Sequence, residues 1–328
     1  MDLKLSGHTA LITGSSKGIG LAVAQWFARE GVNICLVARS GNRLEKEAAS
    51  IRQTTNLAVR TLAADLSGAS GRERVVEAFP DVDILVNNAG AIPGGTIDEV
   101  EEPAWRTAWD LKVFGYIGLT RLYLQRMKAK RRGVIINIIG AGGEKLDFGY
   151  IAGATGNAGL MAFTRAIGGT SPEFGVRVLG VNPGPVLTDR VEVLGRKRAA
   201  RLYGDENRWR ESFAQMPFGR PASTDEIAAT ITFLASDLSS YTSGTIITID
   251  GGSPTAVNCR SCRWNVLVAS AAGEHGARGA VRTEIVDVVD RQQIREACAC
   301  AVHAALNCAD GAAANPGRVL IGKARCAD

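Results

Sequence analysis

TALITGSSKGIG, residues 9–20, decides the fold. Its first five residues form an apolar, β-branched run of strand length. Glycines at 14, 18 and 20 follow at once, and an amphipathic helical stretch covers residues 21–30. A strand, a glycine turn and a helix in that order bring main-chain N–H groups and the positive end of a helix dipole to one point. Glycines there permit a tight turn and the close approach of a pyrophosphate to the backbone.

The same alternation continues along the chain. Apolar strand-like runs recur at 32–38, 58–64, 83–87, 134–139, 176–182 and 245–250, with helical patterns such as 44–53 between them. Continuous rather than alternating apolar runs indicate strands buried on both faces. The predicted fold is therefore α/β, a Rossmann-like doubly wound parallel sheet with helices on both faces.

Composition narrows the function classes. Among 328 residues, 38 Lys and Arg stand against 33 Asp and Glu, a net charge of +5. So small an excess, without a basic stripe, argues against a nucleic-acid partner. Apolar residues make up 46% and charged residues 22%, enough for a large core. No signal-peptide pattern and no apolar stretch of about 18 residues is present, so a cytoplasmic protein without a membrane partner is expected. Of seven cysteines, Cys35 stands apart and Cys259, Cys262, Cys298, Cys300, Cys308 and Cys326 cluster late, an odd count that suits a reducing compartment.

Composition shifts near Ser253, which places a boundary between a domain at 1–254 and an Ala-, Cys- and Arg-rich tail at 255–328. The tail echoes the first domain: AVRTLAAD at 58–65 returns as AVRTEIVD at 280–287, and LVNNAG at 85–90 as ALNCADG at 305–311. It reads either as a truncated second copy, poorly ordered or docked, or as chance similarity in an Ala-rich segment. The Cys259–Cys262 and Cys298–Cys300 spacings do not make a zinc site, and His8, His275 and His303 have no partners at ligand spacing, so no metal is expected.

Three further motifs follow the glycine turn: Asn87-Asn88-Ala89-Gly90, then Asn182-Pro183-Gly184-Pro185-Val186 with Thr188-Asp189, then Asp250-Gly251-Gly252. Each lies at the end of a predicted strand. In this order the four resemble the short-chain dehydrogenase/reductase family over about residues 5–253. The resemblance implies a dinucleotide held at the pyrophosphate by Gly14, Ser16, Lys17, Gly18, Ile19 and Gly20. It implies Asp65 and Leu66 beside the adenine, Asn88, Ala89 and Gly90 beside its ribose, and Pro183, Gly184, Val186 and Thr188 at the nicotinamide carboxamide. It also implies a small carbonyl or alcohol substrate and a homo-dimer or homo-tetramer.

Cofactor choice follows from charge. The second strand ends Val37-Ala38-Arg39-Ser40, without the acid that would bind a ribose 2′-OH and repel a 2′-phosphate. Arg39, with Lys17 as a second cation, favours NADP(H), and NAD(H) is the alternative.

The family's chemistry uses Asn, Ser, Tyr and Lys, the last two spaced Tyr-x-x-x-Lys. Here GNAGLMAFTRA at 156–166 resembles the helix that follows. A gapless register puts Asn157 in the lysine slot, Gly153 in the tyrosine slot, Gly140 in the serine slot and Lys112 in the asparagine slot. Tyr150, three residues before Gly153, enters the tyrosine slot if the preceding loop is shortened by three residues. The catalytic assignment is Tyr150 as proton donor, with Lys112 reaching its phenol or the ribose. Residues 189–219 read as one long, charged helical stretch, seven basic against five acidic, a mild bias toward an anionic substrate. Two competing readings stay open: an impaired NADP(H)-binding scaffold or sensor, and a defective gene product fused to a partial second copy.

Overall fold

The computed structural model describes residues 2–252, together with two short strands at Val266–Leu267 and Ile285–Val286. The chain divides into two units, residues 1–256 and 257–328. In the second, the two short strands pair antiparallel. The tail echo, the cysteine cluster and the two late histidines otherwise lie outside the described residues.

The first unit is a seven-stranded parallel sheet. Strands β1 (Thr9–Thr13), β2 (Asn33–Ala38), β3 (Val59–Ala63), β4 (Ile84–Asn87), β5 (Gly133–Ile138), β6 (Val176–Pro183) and β7 (Ile246–Ile249) follow the predicted runs closely. Their order is β3-β2-β1-β4-β5-β6-β7. The chain winds outward from β1 in one direction, then crosses back to β4 and winds in the other. The connections leaving β1 and β4 therefore diverge and open a crevice above their carboxyl ends.

Helices cover both faces. On one, α1 (Gly18–Arg29), α2 (Gly41–Thr54) and α8 (Thr224–Ala235) pack Phe27, Leu44, Ile227 and Ile231 on Ile12, Ile34 and Leu179. On the other, α3 (Ala69–Ala78) and α5 (Gly115–Lys130) pack Val75, Leu119, Tyr123 and Met127 on Leu11, Leu85 and Ile135. Each such fully buried side chain contributes about 1.5–3 kcal/mol through removal from water. α6 (Ile151–Thr170) also packs on the sheet, through Leu160, Met161 and Thr164, while α4 (Glu102–Trp109) and α7 (Asp189–Tyr203) come after β4 and β6 in the chain.

Beneath the crevice runs a buried polar ladder. Asn87 and Asn137 face each other in the β4–β5 register. Asn87 Nδ2 donates to Asn137 Oδ1 (2.9 Å) and Thr120 Oγ1 (3.1 Å), and Asn137 Nδ2 donates to Thr164 Oγ1 (2.9 Å). The amide N–H groups and Asn137 Oδ1 are paired here, which fixes β4 and β5 against α5 and α6, while Asn87 Oδ1 has no partner among the described residues.

Two local expectations need revision. Residues 189–219 are not one helical stretch: α7 stops at Gly204, whose φ of +68° closes the helix in the left-handed region, and 3₁₀ turns follow at Glu206–Gln215 and Pro217–Gly219. Tyr150 is also not one helical turn ahead of Gly153. It is the N-cap of α6 with φ −140°, outside the helix.

Candidate active site

The glycine turn is locked to the end of β4 by side chains that serve its backbone. Thr13 Oγ1 donates to the Val86 carbonyl and accepts from the N–H groups of Asn88 (2.9 Å) and Ala89 (3.1 Å). Asn88 Nδ2 returns two bonds, to the carbonyls of Thr13 (2.9 Å) and Gly14 (3.2 Å). Glycine is required where these chains meet. Gly14 has φ +66°, and a Cβ there would lie 2.9 Å from Ala89 Cα; one at Gly20 would lie 2.5 Å from Asn88 Nδ2. Ser15, buried, exchanges hydrogen bonds with Val37 and holds the turn to β2.

α1 opens at Gly18 with Lys17 as an extended N-cap that makes no side-chain cap. Its first N–H groups therefore keep their capacity to bind an anion. A Cβ at Gly18 would stop 3.4 Å from the methyl group of Thr188, so the turn faces the 183–188 segment. A floor free of side chains, uncapped N–H groups and a helix dipole fit a dinucleotide's diphosphate.

The remaining predicted cofactor residues gather round this floor. Arg39 is exposed just beyond β2, and its charge reaches Asp65. Two hydrogen bonds from Ser67 hold the Asp65 carboxyl below the usual carboxylate range, with Arg39 a lesser cause. Leu66 is buried, and its carbonyl accepts from Arg72 (2.7 Å). Pro183 pairs with Ile249 across β6 and β7, Gly184 N–H donates to the Ile249 carbonyl (2.9 Å), and Val186 bridges to Ala222. Thr188 is the N-cap position of α7. Lys17 differs from expectation in one respect: it pairs with Asp189 in the first turn of α7 (2.7 Å). Both side chains are largely exposed, so that pair is worth about 0–1 kcal/mol and yields readily to a stronger anion.

Lys112 lies in a π-helical turn, Asp110–Phe114, between α4 and α5. Its stem crosses Gly90, where a Cβ would sit 2.9 Å from Lys112 Cδ. Its ammonium donates to the Ile139 carbonyl, not to the Tyr150 phenol as the sequence suggested. The side chain is partly buried. Burial first, and the nearby Arg190 charge second, push its pKa down to about 7.

The Tyr150 ring is laid across Gly153. A Cβ on Gly153 would lie 2.0 Å from Tyr150 Cζ and 2.5 Å from its hydroxyl oxygen. Ile92, Ala108, Ala152, Trp105 and Trp109 surround it. The phenol reaches the space above Gly153 because position 153 has no side chain. Its oxygen accepts from Arg190 Nη2 (3.1 Å), and the same nitrogen donates to the Ile92 carbonyl (2.8 Å). Tyr116, by contrast, is buried, donates to the Ile138 carbonyl (2.9 Å), and has its phenol pushed well above the ordinary range by burial.

Two other residues singled out in the sequence meet here. Asn157 Nδ2 approaches the Gly140 carbonyl (3.4 Å), and its buried Oδ1 has no partner among the described residues. Gly140 N–H is held by Asn182 Oδ1 (3.3 Å). Arg190 was not singled out. Its signal was an arginine in the first turn of a helix, where the dipole disfavours a cation.

Comparison with known proteins agrees with this geometry. The short chain dehydrogenase model matches residues 8–199. The 3-oxoacyl-[acyl-carrier-protein] reductase FabG of Aquifex aeolicus is 30% identical over 256 residues, 77% of this chain and 99% of that protein. The oxidoreductase UcpA of Salmonella typhimurium is 33% identical over 254 residues, 76% of this chain and 95% of that protein. Among solved structures, L-sorbose reductase from Gluconobacter frateurii, complexed with NADPH and L-sorbose, superposes with a TM-score of 0.72 at 34% identity. That match covers 77% of this chain and 98% of that one. An NAD+-bound xylitol dehydrogenase superposes with a TM-score of 0.70 at 25% identity, covering 76% and 100%. The chain belongs to the short-chain dehydrogenase/reductase family. It is an oxidoreductase of carbonyl and alcohol groups that works with a nicotinamide cofactor on small molecules.

Proposed function

We propose that this chain is an NADP(H)-dependent reductase of a small carbonyl compound, with Tyr150 as the proton donor. The observation that carries the reading is the Tyr150 ring over Gly153. On the register read from the sequence, Gly153 stands where the family has its tyrosine, and the phenol of Tyr150 reaches over Gly153 from three residues earlier.

The residues that would hold the cofactor are those round the turn. Gly14, Ser16, Lys17, Gly18, Ile19 and Gly20 cradle the diphosphate on main-chain N–H groups. Asp65 and Leu66 flank the adenine, and Asn88, Ala89 and Gly90 its ribose. Pro183, Gly184, Val186 and Thr188 orient the carboxamide. Arg39 takes the 2′-phosphate; its exposed position past β2, without a neighbouring acid on that strand end, supports the NADP(H) preference. When bound, the nicotinamide supplies a hydride to the substrate carbon.

The protein's own part is positional and acid–base. Tyr150 gives its hydroxyl proton to the carbonyl oxygen as charge develops there. Tyr116 cannot take that part, because its hydroxyl is committed to a backbone carbonyl. Lys112 acts through structure: it holds the Ile139 carbonyl at the end of β5 and fills the space over Gly90.

The test is NADPH oxidation by wild type and Tyr150→Phe with L-sorbose, ethyl acetoacetate and 2,3-butanedione. General acid catalysis is worth roughly 10²–10⁴ in rate, so the variant should lose that much while binding NADPH normally. Intact turnover in Tyr150→Phe would remove Tyr150 from the reaction. NADPH binding by wild type without turnover on any probe would favour a nucleotide-binding scaffold instead.

A further inference from the structure

The proposed proton donor leaves a negative oxygen behind, and something must face it. Lys112 does not: its ammonium is spent on the Ile139 carbonyl and its stem is packed on Gly90. The group in contact with the Tyr150 oxygen is Arg190, at 3.1 Å.

We propose that Arg190 is a positioning residue for the reaction: it holds the Tyr150 phenol in place and balances the charge that appears on its oxygen as the proton leaves. This rests on Tyr150 being the proton donor.

Three observations support it. First, the guanidinium is anchored, because the nitrogen that meets the phenol also donates to the Ile92 carbonyl at 2.8 Å. Second, a guanidinium has donors and no acceptor. It occupies a lone pair of the Tyr150 oxygen and leaves the hydroxyl hydrogen available to the substrate. A fixed donor aimed at an oxygen that becomes charged costs no reorganisation at the moment of reaction. Third, the placement has a local cost that the contacts with Tyr150 and the Ile92 carbonyl offset. Arg190 sits in the first turn of α7, at the positive end of the helix dipole.

The same turn ties the phenol to the cofactor side of the crevice. Thr188 faces Gly18, Asp189 pairs with Lys17, and Arg190 meets Tyr150. Farther along α7, Leu194 would touch a Cβ placed on Gly94. The seating of α7 and the placement of the phenol are therefore one event. This also explains how the site works without a lysine one turn along α6, where Asn157 stands. The cation comes from another element, and it is an arginine, which keeps its charge throughout the working pH range.

The experiment uses the full chain with Arg190→Met, Arg190→Lys and the control Arg210→Met, whose side chain stacks on Trp209. NADPH oxidation is followed with L-sorbose, ethyl acetoacetate and 2,3-butanedione. Loss of one donor to a developing oxyanion costs on the order of 10² in rate. Arg190→Met should lower kcat by about that factor with KM and NADPH affinity unchanged, Arg190→Lys should recover part of it, and Arg210→Met should match wild type. A second readout needs no turnover. In protein labelled with 3-fluorotyrosine, the ¹⁹F resonance lost in Tyr150→Phe should shift in Arg190→Met and not in Arg210→Met.

A rise in KM with kcat intact would make Arg190 a substrate ligand and overturn the proposal. So would an unshifted ¹⁹F resonance. Wild-type protein that turns over none of the probes, yet shows the ¹⁹F shift, would refute the reductase reading and with it the role in proton transfer, while the contact itself would stand.

Discussion

Adding one methyl group at Gly153 should disable the enzyme without unfolding it. The Cβ of an alanine there would lie 2.0 Å from Tyr150 Cζ, 2.1 Å from Cε1 and 2.5 Å from the hydroxyl oxygen. Carbon atoms rest at about 3.5–4.0 Å, so the ring must retreat by roughly 1.5 Å. The helix backbone has no reason to yield first, since the ring hangs from an N-cap residue outside α6. A shift of that size takes the phenol oxygen beyond hydrogen-bond reach of Arg190, now at 3.1 Å. Misplacement of a reacting group by about 1 Å can cost on the order of 10² in rate. Stability should fall by no more than about 2.5 kcal/mol, because alanine in a helix interior gains about 0.5–1 kcal/mol over glycine against about 1–3 kcal/mol for overpacking. The assay is kcat/KM for NADPH oxidation with a probe that wild type reduces, beside NADPH affinity and a thermal melt. Gly153→Ala should resemble Tyr150→Phe in rate and wild type in NADPH affinity, with a melt lowered by no more than that amount. Wild-type turnover in Gly153→Ala would show that the ring's seat over Gly153 has no part in the chemistry.

Three further outcomes follow from separate parts of the site. Asn88→Ala removes the donor that serves the Thr13 and Gly14 carbonyls, so urea unfolding should show a loss of about 1–3 kcal/mol, with weaker NADPH binding. Arg39→Ala should lower the preference for NADPH over NADH by roughly 10- to 100-fold in fluorescence titrations, the size of a charge-assisted bond of about 1.5–3 kcal/mol; an unchanged ratio would exclude Arg39 from the 2′-phosphate site. Lys112 has its pKa lowered from 10.5 to about 7 in the folded protein. Between those values the unfolded chain holds a proton that the folded chain does not, so this group makes stability rise with pH across that window. Lys112→Met lacks the effect: its stability relative to wild type should be greatest at pH 7 and should decline by pH 9.5, and a pH-independent difference in urea titrations would contradict the burial argument.

What the sequence revealed and what it concealed divide along a physical line. The strands were legible because a parallel sheet covered on both faces demands continuous apolar runs, and TALIT, NICLVA and ILVN are such runs. The glycine turn was legible because its constraints are local: a positive φ at Gly14 and crowding at Gly20. The length of the helix after Thr188 was misjudged because charged residues suit α-helix and 3₁₀ turns alike, and only Gly204 marked the end. The Lys112 contact was hidden by the π turn at Asp110–Phe114, which a regular helical period does not foresee. The bond between Arg190 and Tyr150 joins residues 40 apart in the chain, and no periodicity reports that distance.

On the register proposed from the sequence, Gly153, Tyr150 and Arg190 depend on one another. Were Gly153 a tyrosine, as in the family register, the Tyr150 ring could not lie where it does; with glycine there, the ring from three residues earlier has both room and cause to fold back. The phenol from position 150 is carried over Gly153, so position 157 still lies one helical turn from it, and the Asn157 side chain and the Tyr150 ring both border Gly142. A cation supplied by α7 meets the displaced phenol directly, and position 157 is left to an asparagine that approaches Gly140. Glycine, displaced tyrosine and arginine thus form a set in which each is reasonable only beside the others. Restoring one member alone, for example Asn157→Lys with Gly153 retained, should accordingly give no gain in kcat, because it would set a second cation near a phenol that Arg190 already holds.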